Sequence, residues 1–153
     1  MTSVDATPDK ADPSSRVTTV RDRARAAIER AWAAAEASGA LPVHPADQPR
    51  PEVEVDRPAK PEHGDLATNL AMKLARPLRR PPLAIAAAIV DALATTTTDP
   101  DSPIASAEVA PPGFVNLRLA DGVLATTIDA ILAAPGDWGR VAPVRPRSVN
   151  VEF

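Results

Sequence analysis

The sequence predicts an α+β fold in two layers, a small and mostly antiparallel sheet covered by about four helices. Three observations lead there. Apolar residues recur at helical spacing in four separate stretches. Short segments between them alternate apolar and polar residues, the mark of half-buried strands. Eighteen prolines in 153 residues interrupt the chain too often for long elements. The length suits one domain, with a folded part of about 100 residues.

Residues 1–15, rich in Pro, Asp, Ser and Thr without periodicity, read as a disordered extension. Residues 16–140 carry the folded domain, and 141–153 a linker and the first strand of whatever follows. The first helix starts near Val17. It places Val20, Ala24, Ala27, Ile28, Ala31, Trp32 and Ala35 on one side, and Gly39 and Pro42 stop it. After a proline-punctuated loop over Pro42–Pro51, Val53 and Val55 alternate with Glu52, Glu54 and Asp56 as a short strand. Gly64-Asp65 then introduces a second helix, with Leu66, Ala67, Leu70, Ala71 and Leu74 inward and Asn69, Met72, Lys73 and Arg76 outward. In this reading Gly64 permits the sharp entry and Asp65 caps the helix.

Pro81-Pro82 suits the first turn of a third helix, whose buried stripe is Ile85, Ala86, Ile89, Val90 and Leu93. A polar loop runs from Thr95 to Pro103. Strands at Ile104–Ala110 and Phe114–Ala120 form a hairpin around the Pro111-Pro112-Gly113 turn. Asp121 caps a fourth helix with Leu124, Ile128, Ile131 and Leu132 facing inward. Val149–Phe153 alternates like a strand that has just begun.

Composition narrows the function classes. Hydrophobic residues make up 44% and charged residues 24%, but aromatics only 3%, so the core is built from Ala, Leu, Val and Ile. The absence of cysteine excludes disulfides, thiolate metal sites and a cysteine nucleophile, and fits a reducing, cytoplasmic setting. No stretch approaches the roughly 18 consecutive apolar residues of a membrane span, and Met1–Ser15 lacks the pattern of an export signal. Asp22 and Glu29 argue against reading Arg16–Arg30 as a transit peptide.

Net charge is −3, yet the charge is unevenly spread. Arg57, Lys60, Lys73, Arg76, Arg79 and Arg80 face only Glu62 and Asp65 between residues 57 and 80, whereas the segment from Pro81 to Gly139 is acidic apart from Arg118. A local basic stripe can neutralise phosphates on an acidic protein.

In the strand from Phe114, successive side chains point to opposite faces. Val115, Leu117 and Leu119 form an apolar set. Phe114, Asn116 and Arg118 combine a stacking surface, an amide and a cation, the groups that hold a splayed-out base. The competing reading packs Phe114 under a helix and leaves Asn116 as a turn residue. Lys73, Arg76, Arg79 and Arg80 are either a solvated helix face or phosphate contacts that position RNA without reading it. His63 has no catalytic companion at recognisable spacing, and Asp99 and Asp101 lack a third ligand, so no metal site is expected. No Gly-rich phosphate loop is present.

Pro61-Glu62-His63-Gly64-Asp65-Leu66-Ala67-Thr68-Asn69-Leu70-Ala71, then Pro112-Gly113-Phe114-Val115-Asn116-Leu117, then Val149–Phe153, together resemble the N-terminal additional domain of arginyl-tRNA synthetases. The resemblance implies a two-layer α/β domain that touches the D-loop of arginine tRNA. Phe114 and Asn116 would contact a D-loop base, while the turn and cap roles of Gly64, Asp65 and Gly113 come from the residue pattern alone. It also implies a class I catalytic domain following Phe153 as partner. ATP and magnesium belong to that domain, whose His-x-Gly-His and Lys-Met-Ser-Lys signatures do not occur in these residues. The expectation is therefore a non-catalytic tRNA-binding module with no cofactor, membrane or DNA partner of its own. A protein-interaction scaffold or a degenerate gene product is the alternative.

Overall fold

A computed structural model describes residues 19–96 and 102–136. The expected extension over 1–15, the linker over 141–153 with its strand Val149–Phe153, and the loop centre at 97–101 lie outside the described residues. Four helices, α1 (Val20–Ala37), α2 (Leu70–Leu78), α3 (Pro82–Thr96) and α4 (Gly122–Ala133), accompany three strands, β1 (Leu66–Thr68), β2 (Ile104–Ala110) and β3 (Phe114–Leu119). The sheet order is β1-β3-β2, and both pairings are antiparallel. The α+β expectation holds.

Thr19 starts α1. Its hydroxyl accepts the Asp22 N–H at 3.1 Å, while the Asp22 carboxylate accepts the Thr19 N–H at 3.1 Å, a capping box. The Thr19 hydroxyl also donates to that carboxylate and holds the Asp22 carboxyl below its ordinary value. The expected stripe is buried from Ala24 to Ala35, and Gly39 follows the helix in the left-handed region at φ 78°. The proline-rich loop then folds back on α1. Arg50 lies 4.0 Å over the Trp32 ring and pairs with Glu36 at 3.1 Å. Glu36 also accepts the His44 N–H at 3.0 Å, and His44 is buried edge-on against Trp32.

Val53 and Val55 are buried and Glu54 and Asp56 exposed, as the alternation requires. Their segment is not a full strand, because it joins the sheet through a single bridge between Asp56 and Ala67. α3 is the hub of the helical layer, packing on α1, α2 and the β2–β3 hairpin. Ile85, Ala86, Ile89 and Leu93 join Val115, Leu117 and Ile104 in one core. Pro82 opens α3 as expected.

Three expectations fail. Asp121, at the start of α4, makes no side-chain cap hydrogen bond. Asp65 caps no helix, because β1 intervenes and α2 begins only at Leu70. Leu66 and Ala67 are strand residues, and Thr68 supplies the local cap, its buried hydroxyl accepting the Leu70 N–H at 3.3 Å. Asp65 instead stitches β1 to β3. Its N–H donates to the Leu117 carbonyl at 2.9 Å and its carboxylate accepts the Leu119 N–H at 2.9 Å. On α4, Leu124, Ile128 and Leu132 face outward, with 68%, 55% and 72% of their surface exposed, whereas Val123 is buried and Ile131 half-buried.

Both turn glycines hold tight places. Gly113, at φ 154° in the hairpin turn with its cis Pro111–Pro112 bond, abuts Pro82, where an added Cβ would sit 2.5 Å from the Pro82 Cβ. Gly64 has φ 99°, and an added Cβ would lie 2.6 Å from the Leu117 carbonyl oxygen. That oxygen is fixed by the sheet and cannot move aside. Gly64→Ala is therefore expected to destabilise the fold by about 2 kcal/mol or more, readable as a fall in the thermal midpoint of about 8 °C or more.

Candidate nucleic-acid interface

β3 is the central strand, so the sheet has one face toward the helices and one away from them. Val115 and Leu117 are completely buried against the helical layer. Phe114, Asn116 and Arg118 occupy the other face, with Phe114 37% exposed, Asn116 half-buried and Arg118 exposed. The reading that packs Phe114 beneath a helix is not what the fold adopts.

The cross-strand neighbours on this open face are small near the ring. Ala110 lies opposite Phe114, Ala67 and Glu108 flank Asn116, and Ser106 lies opposite Arg118. Alanines beside the ring and the amide leave a shallow floor along β3. Phe114 and Arg118 are four residues apart on the strand, about 13 Å, which spans roughly one nucleotide and its flanking phosphate. The Arg118 guanidinium reaches the Glu62 carbonyl at 3.4 Å, a long contact at an exposed group.

Charge on this face is mixed. Glu108 sits beside Asn116, and Asp56 extends the same row through its bridge to Ala67. The sequence reading did not single out Glu108, because its place beside Asn116 depends on the hairpin register.

Arg76 and Arg79 are exposed on α2, in the layer behind the sheet, and Arg79 is the left-handed residue at φ 50° that ends α2. Arg80 donates to the Ala40 carbonyl at 3.3 Å. Lys73 is engaged structurally. Its ammonium lies 2.7 Å from the Glu54 carboxylate and donates to the Glu52 carbonyl at 3.1 Å, so it fastens the 52–56 segment to α2. The Lys73 hydrogen bond to Glu54, then the Lys73 charge, holds the Glu54 carboxyl below its ordinary value. Among the described residues no group of three or more His, Cys, Asp or Glu is placed to hold a metal ion. Nor is any helix there long and apolar enough to cross a membrane.

The profile of the family described as "Arginyl tRNA synthetase N terminal domain" matches residues 19–119, two thirds of the sequence and every strand of the sheet. The chain belongs to this family. Among curated relatives, the arginine–tRNA ligase of Gloeobacter violaceus is 46% identical over 105 residues, covering 69% of this chain and 16% of that protein. The Paracoccus denitrificans arginine–tRNA ligase is 45% identical over 123 residues, 80% of this chain and 20% of that protein. The one from Symbiobacterium thermophilum is 46% identical over 121 residues, 79% and 20%. The matched part thus spans about a sixth to a fifth of these relatives' length. In this arginyl-tRNA synthetase N-terminal domain, the open sheet face is the surface where an aromatic ring, an amide and a guanidinium stand in one row.

A lowered carboxyl pKa contributes stability above the unfolded glutamate's value, and that contribution is lost as pH falls through the folded one. Lys73→Met is accordingly expected to lower the thermal midpoint at neutral pH. The difference from the unsubstituted chain should narrow as Glu54 becomes protonated, leaving the part due to the Glu52 carbonyl, which a pH series of melting curves checks.

Proposed function

We propose that this domain binds the D-loop region of arginine tRNA through the open face of its sheet, as part of an arginine–tRNA ligase working in the cytoplasm. The observation that carries this reading is the row of Phe114, Asn116 and Arg118 on the open face of the central strand, exposed at both ends and half-buried at the amide. An unpaired base stacks on Phe114, Asn116 donates to or accepts from its edge, and Arg118 meets an adjacent phosphate. Glu108 and Asp56 disfavour phosphate over the middle of the face, which leaves the Arg118 end for the backbone.

Arg76 and Arg79 serve as outlying phosphate contacts for an RNA that wraps the domain edge. Lys73 acts first as a tether, since a phosphate would have to compete with Glu54 for its ammonium. Family membership supports tRNA as the partner class. Arginylation itself, with its ATP and magnesium, belongs to the remaining four fifths of such a ligase and to no residue described here.

Titration with arginine tRNA tests the reading. Stacking contributes about 1–3 kcal/mol per base, so Phe114→Ala should weaken binding about tenfold or more, and a transcript with its D-loop bases replaced should bind as weakly. Arg118→Ala should reduce affinity for all transcripts and make the salt dependence shallower by about one ion. Equal affinity of the Phe114→Ala and unsubstituted chains for arginine tRNA would remove the base contact.

A further inference from the structure

We propose that the outward stripe of α4 is the seat on which the body of the ligase packs. The proposal rests on family membership and not on the RNA reading. Among the described residues, seven large apolar side chains are exposed, and Leu124, Ile128 and Leu132, spaced by four on α4, are three of them. Spacing by four aligns them on one helical face. The helix is attached to the domain mainly through Val123, its one fully buried residue. The Thr126 and Thr127 hydroxyls donate back to the Val123 carbonyl at 3.0 and 2.7 Å, so they satisfy themselves within the helix. Among the described residues the exposed stripe is therefore apolar surface without a partner.

Position and size decide the occupant. α4 begins three residues after Leu119, where the family match ends, and the relatives that carry this N-terminal domain are five to six times longer than the matched part. The rest of such a polypeptide is thus held beside α4 at high effective concentration, where a small patch suffices. A dimer of two free chains needs roughly 800 Å² from each partner, far beyond three side chains. A lipid surface is disfavoured too, because the helix GVLATTIDAILA carries no Lys or Arg to meet headgroups.

The chain lacks cysteine, so single introduced thiols report cleanly. Leu124→Cys, Ile128→Cys and, as a control on the far side of the helix, Ala133→Cys are made in two proteins. One is the 153-residue chain. The other joins this chain to the body of the Paracoccus denitrificans ligase and is confirmed to arginylate tRNA, and maleimide labelling is read by peptide mass. In the joined protein, labelling at 124 and 128 should slow at least tenfold while 133 is unchanged. Equal rates in the two proteins would overturn the proposal. So would slow labelling of the lone chain, whether at all concentrations (cover by its own residues), only at high concentration (a second copy), or only with anionic vesicles.

A second measurement guards against variants that fold poorly. Leu124→Glu with Leu132→Glu should leave the lone chain's melting midpoint within about 4 °C, as expected of two surface substitutions, and a larger fall would place the stripe in the domain's own core. Failure of Phe114→Ala to affect RNA binding would leave these outcomes untouched.

Discussion

Leu117 is gripped through both its side chain and its backbone. The side chain is completely buried in the shared core, and its carbonyl accepts the Asp65 N–H while Gly64 lies against it too closely for any β-carbon. Asp65 then reaches past it to the Leu119 N–H. These contacts hold β3 in the middle of the sheet, and its central position gives the molecule two different sheet faces. Val115 and Leu117 turn toward the helices only because Phe114, Asn116 and Arg118 turn away. If the seam at Gly64-Asp65 shifted by one residue, the two sets would exchange places.

Long periodic elements were legible in the sequence, and short or context-dependent ones were not. The α1 stripe repeats over about four turns, and the alternation in β3 runs over six residues, so each pattern has room to distinguish itself. β1 has three residues, too few for a period, and Leu66-Ala67 fits a helix equally well until Asp65 is seen hydrogen-bonding across to β3. On α4 the apolar spacing was readable, but spacing does not reveal whether anything lies opposite. Lys73 had no visible partner in the sequence because Glu54 is nineteen positions away, brought near by the fold back along α1.

The candidate site was legible where it lies within one strand and opaque where it depends on register. Phe114, Asn116 and Arg118 follow from alternation alone. Glu108 beside Asn116, and the alanines that leave the ring uncovered, follow from pairings that only the hairpin geometry fixes. The partners of the basic residues also depend on the fold. One lysine fastens a loop, one arginine reaches a carbonyl in another, and two arginines project from the layer behind the sheet.

The register between β2 and β3 slips between Ile104 and Ser106, on the outermost strand of the sheet. An outer strand of regular geometry is a template on which further chains can add, and an irregular one is a poor template. With Ala105 out of register and Glu108 projecting farther along, that border resists growth into fibrils. The domain can thus keep a strand surface uncovered without inviting copies of itself to polymerise along its rim.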